Sequence, residues 1–262
     1  MLRARQPIVR SAATQAFIDS LLSELAAGAY SPAAWLRFVW RSWRRSLEVA
    51  RRQRRAALEV HLFHLALLPL GTPRWVIGSW LLAWSHVGLL GDQPRSLGVA
   101  NLLTLLRANL PALRGSHSAW LASAALGSDL ADGWIARAGS RETAFGAYAD
   151  AVADLAFWTW YAWRHEPSRL LRGLAWSLWL APAAAITVGY FVAARSIDAP
   201  RPQGIRVTSA AFQVLLVARA WCRWARAEGQ PDFMPSPAAR RAASVRSSAP
   251  GTPARSSREC RR

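Results

Sequence analysis

Residues 129–154 read Asp129-Leu130-Ala131-Asp132-Gly133-Trp134-Ile135-Ala136-Arg137, eight further residues, then Gly146-Ala147-Tyr148-Ala149-Asp150-Ala151-Val152-Ala153-Asp154. Four aspartates stand here inside otherwise apolar sequence. A charged side chain at the centre of a membrane helix costs about 2.5–3.5 kcal/mol on insertion scales, so such residues face an interior site and carry function. Asp129, Asp132 and Ala136 follow an i, i+3, i+7 course along one helix face, and Gly146, Asp150 and Asp154 an i, i+4, i+8 course along the next. A connector around Gly139-Ser140-Arg141 predicts two antiparallel helices with these faces opposed. Gly133, Ala136 and Gly146 are small enough to admit a helix or a ligand at close range.

Four carboxylates in so small a space repel one another, and divalent cations relieve that repulsion. An all-oxygen donor set with no Cys or His cluster selects hard ions, Mg²⁺ or Mn²⁺. Two such ions would suit in-line displacement at phosphorus.

Outward from this stretch the chain is apolar on both sides. Approximate spans of 75–91, 99–113, 118–137, 143–163, 172–194 and 205–224 predict an all-α, multi-spanning transmembrane bundle of about six helices. The mean hydropathy of +0.08 conceals this, because it averages the apolar middle with Arg-rich ends. Residues 1–60 read as a basic, amphipathic cytosolic region, 61–98 as an accessory apolar segment with one transmembrane helix, 99–224 as the core, and 225–262 as a disordered basic tail. Within the first region, Trp35, Val39, Trp43, Leu47 and Ala50 share one helical stripe while Arg41, Arg44, Arg45, Arg51 and Arg52 populate the rest. That pattern predicts a juxtamembrane helix lying in the headgroup layer. Nothing after Arg10 reads as a signal peptide.

The formal charge is +18, all 33 basic residues being arginine. The charge lies at the chain ends and in connectors, which fits membrane topology and attraction to anionic lipid and argues against a nucleic-acid partner. Cys222 and Cys260 form neither a disulfide framework nor a metal site. His61 and His64 have no carboxylate on their face and read as structural, and the tryptophans at 158, 160, 163, 176 and 179 read as interfacial belts.

The aspartate stretch resembles the signature of the CDP-alcohol phosphatidyltransferases, D-x2-D-G-x2-A-R-x8-G-x3-D-x3-D. Asp129, Asp132, Gly133, Ala136, Arg137, Gly146, Asp150 and Asp154 meet every fixed position. A second segment, Ala100-Asn101-Leu102-Leu103-Thr104-Leu105-Leu106-Arg107, resembles the family's P-N-x-L-T-x-x-R. The resemblance implies metal binding by Asp129, Asp132, Asp150 and Asp154, with Asp154 also the general base. It implies a CDP-donor pocket from Asn101, Thr104, Gly133, Ala136, Arg137, Thr143 and Gly146. It further implies a CDP-linked lipid such as CDP-diacylglycerol as donor, a small alcohol acceptor, phosphorylated or not, and release of CMP in phospholipid biosynthesis. The setting would be a multi-pass cell-membrane protein, its site facing the cytoplasm, and a homodimer accords with the family. Arg172, Arg195 and Arg206, near helix ends, are candidates to hold an anionic acceptor.

The chain departs from the pattern in places. Ala100 replaces the proline, and only 28 residues separate Asn101 from Asp129, which predicts a first core helix clipped or broken near Pro111. Two other readings of the buried acids are a cation- or proton-coupled transporter and a catalytically degenerate family member serving as a membrane interaction protein.

Overall fold

Side-chain caps and backbone turns mark where several of the helices begin. Ser31 caps α2 (Pro32–Arg52) by accepting from Ala34 N, with Pro32 at the first helical position, where its missing N–H costs nothing. Ser168 likewise caps α8 (Arg169–Ala193) through Leu171 N. Gly98 precedes α5 (Val99–Asn109) with φ +83, a conformation that side chains rarely adopt. The computed structural model describes residues 12–91, 96–113, 118–138, 143–197 and 203–228. The remaining helices are α1 (Ala12–Ala27), α3 (Arg54–Leu67), α4 (Pro73–Ser85), α6 (Ser118–Ala138), α7 (Ala144–His165) and α9 (Gln203–Glu228). Short 3-10 turns follow α4 (Val87–Leu90) and α5 (Leu110–Ala112), and the described residues form no strand, only an isolated bridge between Gly71 and Leu113. The fold is all-α, as expected.

The central element is α5. It packs closely against both α6 and α7, whereas α6 and α7 barely touch each other. The two acidic faces meet with α5 as a third wall, which the sequence reading did not include. Leu105 of α5 and Phe145 of α7 are buried in one core with Val49, Val60 and Val87 from the N-terminal half.

On its other side α7 packs against α8. Phe157, Trp158 and Tyr161 are fully buried there, and Trp158 stacks on Trp179 at 5.9 Å. Trp158 and Trp179 are thus core residues and not part of an interfacial belt, while Trp163 and Trp176 remain exposed and stack on each other. Glu166, buried in the turn between α7 and α8, is gripped by Arg219 of α9 through Nη2 at 2.9 Å and Nε at 3.2 Å.

Two of the expected spans are too short. A helix rises about 1.5 Å per residue, so α4, with 13 residues, reaches about 20 Å and α5, with 11, about 16 Å, against an apolar bilayer core of roughly 30 Å. Proline is the cause at α5, where Pro111 lies in the 3-10 turn that ends it, as the shortened first helix predicted. Among the described residues, α8 is the one helix both long and apolar enough to cross a membrane, and little of its apolar window is buried. α6, α7 and α9 have 21, 22 and 26 residues, sufficient length, but carry charged side chains in their interiors.

In the N-terminal region, α2 turns Ala34, Ser46, Val49 and Ala50 inward. Of the predicted stripe, Trp35, Val39 and Leu47 are exposed, Trp43 is half-buried and Ala50 is buried, while Leu36 and Trp40 add to the exposed apolar side. α1 and the α1–α2 elbow hold the end of α8, Asp19 Oδ1 accepting from Ser196 N and Oγ at 2.6 and 2.8 Å and Tyr30 donating to Phe191 O at 2.6 Å. His64 is buried and structural, its ring nitrogens against Val60 O and Ser79 Oγ, and His61 accepts from Trp80 Nε1.

Contacts divide the chain into Met1–Trp221 and Cys222–Arg262. The first unit holds α1 to α8 and α9 as far as Trp221. The described part of the second is the last stretch of α9, in which Cys222 is exposed. The expectations for residues 1–11, for the Gly139–Arg141 connector and for the tail beyond Glu228 lie outside the described residues.

Candidate active site

α6 and α7 are joined by a short connector, so the end of α6 and the start of α7 lie at the same end of the bundle. Asp129 and Asp132 sit three residues apart on α6, Asp150 and Asp154 four apart on α7, and both pairs turn toward α5. One oxygen from each of Asp129, Asp132 and Asp150 lies within 4.8 Å of the others. The three carboxylates that helical spacing puts on matching faces do converge.

The point on which they converge is Arg107 of α5. Its side chain is 0% exposed. Nη1 donates to Asp129 Oδ1 at 2.9 Å, Nη2 lies 3.3 Å from Asp132 Oδ2 and against Asp150 Oδ1, and Nε is 3.1 Å from Asp154 Oδ1. One guanidinium thus meets all four aspartates. Its planar fork of donors permits this, where a lysine ammonium would not. Sequence reasoning matched Arg107 to the last position of the P-N-x-L-T-x-x-R-like segment but gave it no role. The available signal was a lone arginine inside an apolar helix, closing the Asn101–Arg107 segment.

Thr104, one turn before Arg107, directs its hydroxyl at Asp132 Oδ2 (2.9 Å) and Ala100 O (3.1 Å). With one proton it donates to one of these at a time. Asn101, a further turn back, is buried and donates to Leu97 O at 2.6 Å. A Cβ added at Gly146 would stand 2.5 Å from Asn101 Oδ1, so what needs the missing side chain at Gly146 is α5 itself. Thr143 is the cap of α7, accepting from Gly146 N at 2.9 Å. Gly133 is half-buried on α6. The α6 backbone carries Ala136 and Arg137, whose side chains lie outside the described residues, as does that of Arg206 on α9.

Of the three candidate acceptor arginines, Arg172 and Arg195 are not brought together. α8 starts at the end of α7 remote from the aspartates and runs back, so Arg172 lies at the far end of the bundle and Arg195 at the near end. More than about 30 Å of helix separates them, and no small acceptor touches both. Arg172 lies over the Trp163 ring at 5.9 Å, while Arg195 is exposed.

The donor chemistry fits a hard divalent cation: carboxylate oxygens from two helices, close enough to share an ion, with no sulfur or imidazole among them. A protein-family model described as CDP-alcohol phosphatidyltransferase matches residues 97–230, just over half of the chain and the whole of this site. The chain belongs to the CDP-alcohol phosphatidyltransferase family. Membership brings a CDP-alcohol donor, an alcohol acceptor, and transfer of a phosphatidyl or related phospho-alcohol group in lipid synthesis, in a membrane-associated protein. The phosphatidyltransferase match begins at Leu97, so α1 to α4 lie ahead of it. No curated protein and no solved structure matches the chain.

Proposed function

We propose that this phosphatidyltransferase takes a phosphatidyl group from a CDP-linked lipid such as CDP-diacylglycerol and passes it to a small alcohol, releasing CMP. The observation that carries the reading is the meeting of four aspartates from two helices at one buried point. Asp129, Asp132, Asp150 and Asp154 would hold Mg²⁺ or Mn²⁺, two ions in this reading. Bound there, such ions would supply charge neutralisation for the pyrophosphate and the leaving phosphate.

The chain's own residues do the rest. Asp154 accepts the proton of the acceptor hydroxyl. The acceptor oxygen forms a bond to the lipid-side phosphorus as the bond from that phosphorus to the bridging oxygen breaks, and CMP departs with the electron pair. Thr104 holds Asp132 in orientation through its hydroxyl. Arg137, Gly133 and the first turns of α5 line the donor side, with Gly146 and Thr143 keeping α7 in register against Asn101.

The protein in this reading crosses the bilayer several times through α6 to α9, with the aspartate end of the bundle toward the cytoplasm. The exposed Trp35, Leu36, Val39 and Trp40 of α2 then lie in the headgroup layer on that side, since α1 and the α1–α2 elbow bind the near end of α8. Acceptors of the glycerol-phosphate type come first for screening and inositol phosphate second. The test is CMP release by purified protein in detergent, with CDP-diacylglycerol, Mg²⁺ and each acceptor in turn. Release that is absent with every acceptor, or undiminished in Asp154→Asn, overturns the reading.

A further inference from the structure

Arg107 is an unusual resident for a cation site. It places one positive charge, with no solvent exposure, against four carboxylates that are themselves 8–29% exposed. Like charges in so confined a space repel strongly, and screening by water is weak there. The four aspartates carry a formal −4, which Arg107 lowers to −3. It does so through the oxygens of Asp129, Asp132 and Asp150, the same three residues that stand close enough to share an ion. A divalent ion and the guanidinium therefore draw on one set of carboxylates.

We propose that Arg107 is a built-in counter-cation: it holds the four carboxylates together when no divalent ion is bound, and it competes with the ion for them. This rests on the reading that these aspartates bind metal. It makes Arg107 a positioning residue, one that acts through the aspartates. Its presence has two consequences of opposite sign. The ion-free protein is stabilised, because the carboxylates are already compensated. Ion binding is weakened, because each ion meets a site that is already partly neutralised.

That opposition separates competition from a plain structural role. Removing an arginine that only packs the helices would loosen the site and weaken ion binding. Removing a competitor strengthens it. The experiment compares purified wild type with Arg107→Gln in detergent, reading bound Mn²⁺ by loss of the free-ion electron paramagnetic resonance signal and thermal unfolding with and without chelator. The expected result for Arg107→Gln is Mn²⁺ affinity higher by about tenfold or more, from loss of a neighbouring positive charge. It also melts lower than wild type in chelator, and Mn²⁺ raises its melting temperature further than it raises that of wild type.

If Arg107→Gln does not fold, the same comparison between Asp150→Asn and Arg107→Gln/Asp150→Asn gives the sign with one fewer repelling carboxylate. Unchanged or weaker Mn²⁺ binding on removal of Arg107, with wild type binding normally, overturns the inference and leaves the metal reading standing. No Mn²⁺ binding by either protein overturns both.

Discussion

A Cβ on Gly146 would stand 2.5 Å from the Asn101 side-chain oxygen, so α7 has no room for a side chain where it meets α5 at that point. The contact lies one turn from Asp150 on α7 and two turns from Arg107 on α5. The spacing of these helices is therefore set beside the carboxylates and by residue size.

Gly146→Ala is expected to force the two helices apart or Asn101 out of its hydrogen bond to Leu97, at about 1–3 kcal/mol as for other overpacked sites. Thermal unfolding in detergent should show it as a lower midpoint. The double variant Asn101→Ala/Gly146→Ala should be less destabilised than the sum of the two single variants, since the clash needs both atoms. Strict additivity would show that the contact does not limit the approach.

Thr104→Val keeps the shape of the side chain and removes the hydroxyl that Asp132 accepts from. A hydrogen bond to a charged group contributes about 1.5–3 kcal/mol, so CMP release should fall roughly tenfold or more, while Thr104→Ser restores most of it. Equal rates for the valine and serine variants would exclude an orienting role.

Far from the aspartates, Arg219 holds the buried Glu166. Arg219→Ala leaves that carboxylate buried without its principal partner. Because Arg219 is partly exposed, the cost should fall below that of a fully buried pair, at about 1–3 kcal/mol. Unfolding should report this loss, and Mn²⁺ affinity should be unaltered. A change in Mn²⁺ affinity would mean that the two ends of the bundle are coupled.

Arg172 and Arg195 test the proposed orientation. In a Cys222→Ser/Cys260→Ser background, Arg172→Cys and Arg195→Cys should react with a membrane-impermeant thiol reagent from opposite sides of the bilayer, Arg195→Cys from the cytoplasmic side. Labelling of both from one side is incompatible with α8 crossing the membrane.

The helical class and the convergence of the carboxylates were legible in the sequence. The reason is local: intervals of three and four residues put Asp129 with Asp132 and Asp150 with Asp154 on single faces, whatever those helices pack against. Pro111 announced the end of α5 for an equally local reason, its missing N–H. The count of spans was less legible, because apolar composition runs on through 75–91 and 99–113 although the helices there stop after 13 and 11 residues.

Periodicity along one helix says which side chains share a face and nothing about which neighbour that face meets. Only packing put α5 between α6 and α7, and so brought Arg107 among four aspartates as much as 47 residues away in the chain. The same holds for Gly146, whose missing side chain makes room for Asn101, and for Trp158, buried by the return of α8. Arg172 and Arg195 look alike as helix-end cations until the course of α8 sets them at opposite ends. Such relations depend on the three-dimensional path of separate segments, and no run of neighbouring residues encodes that path.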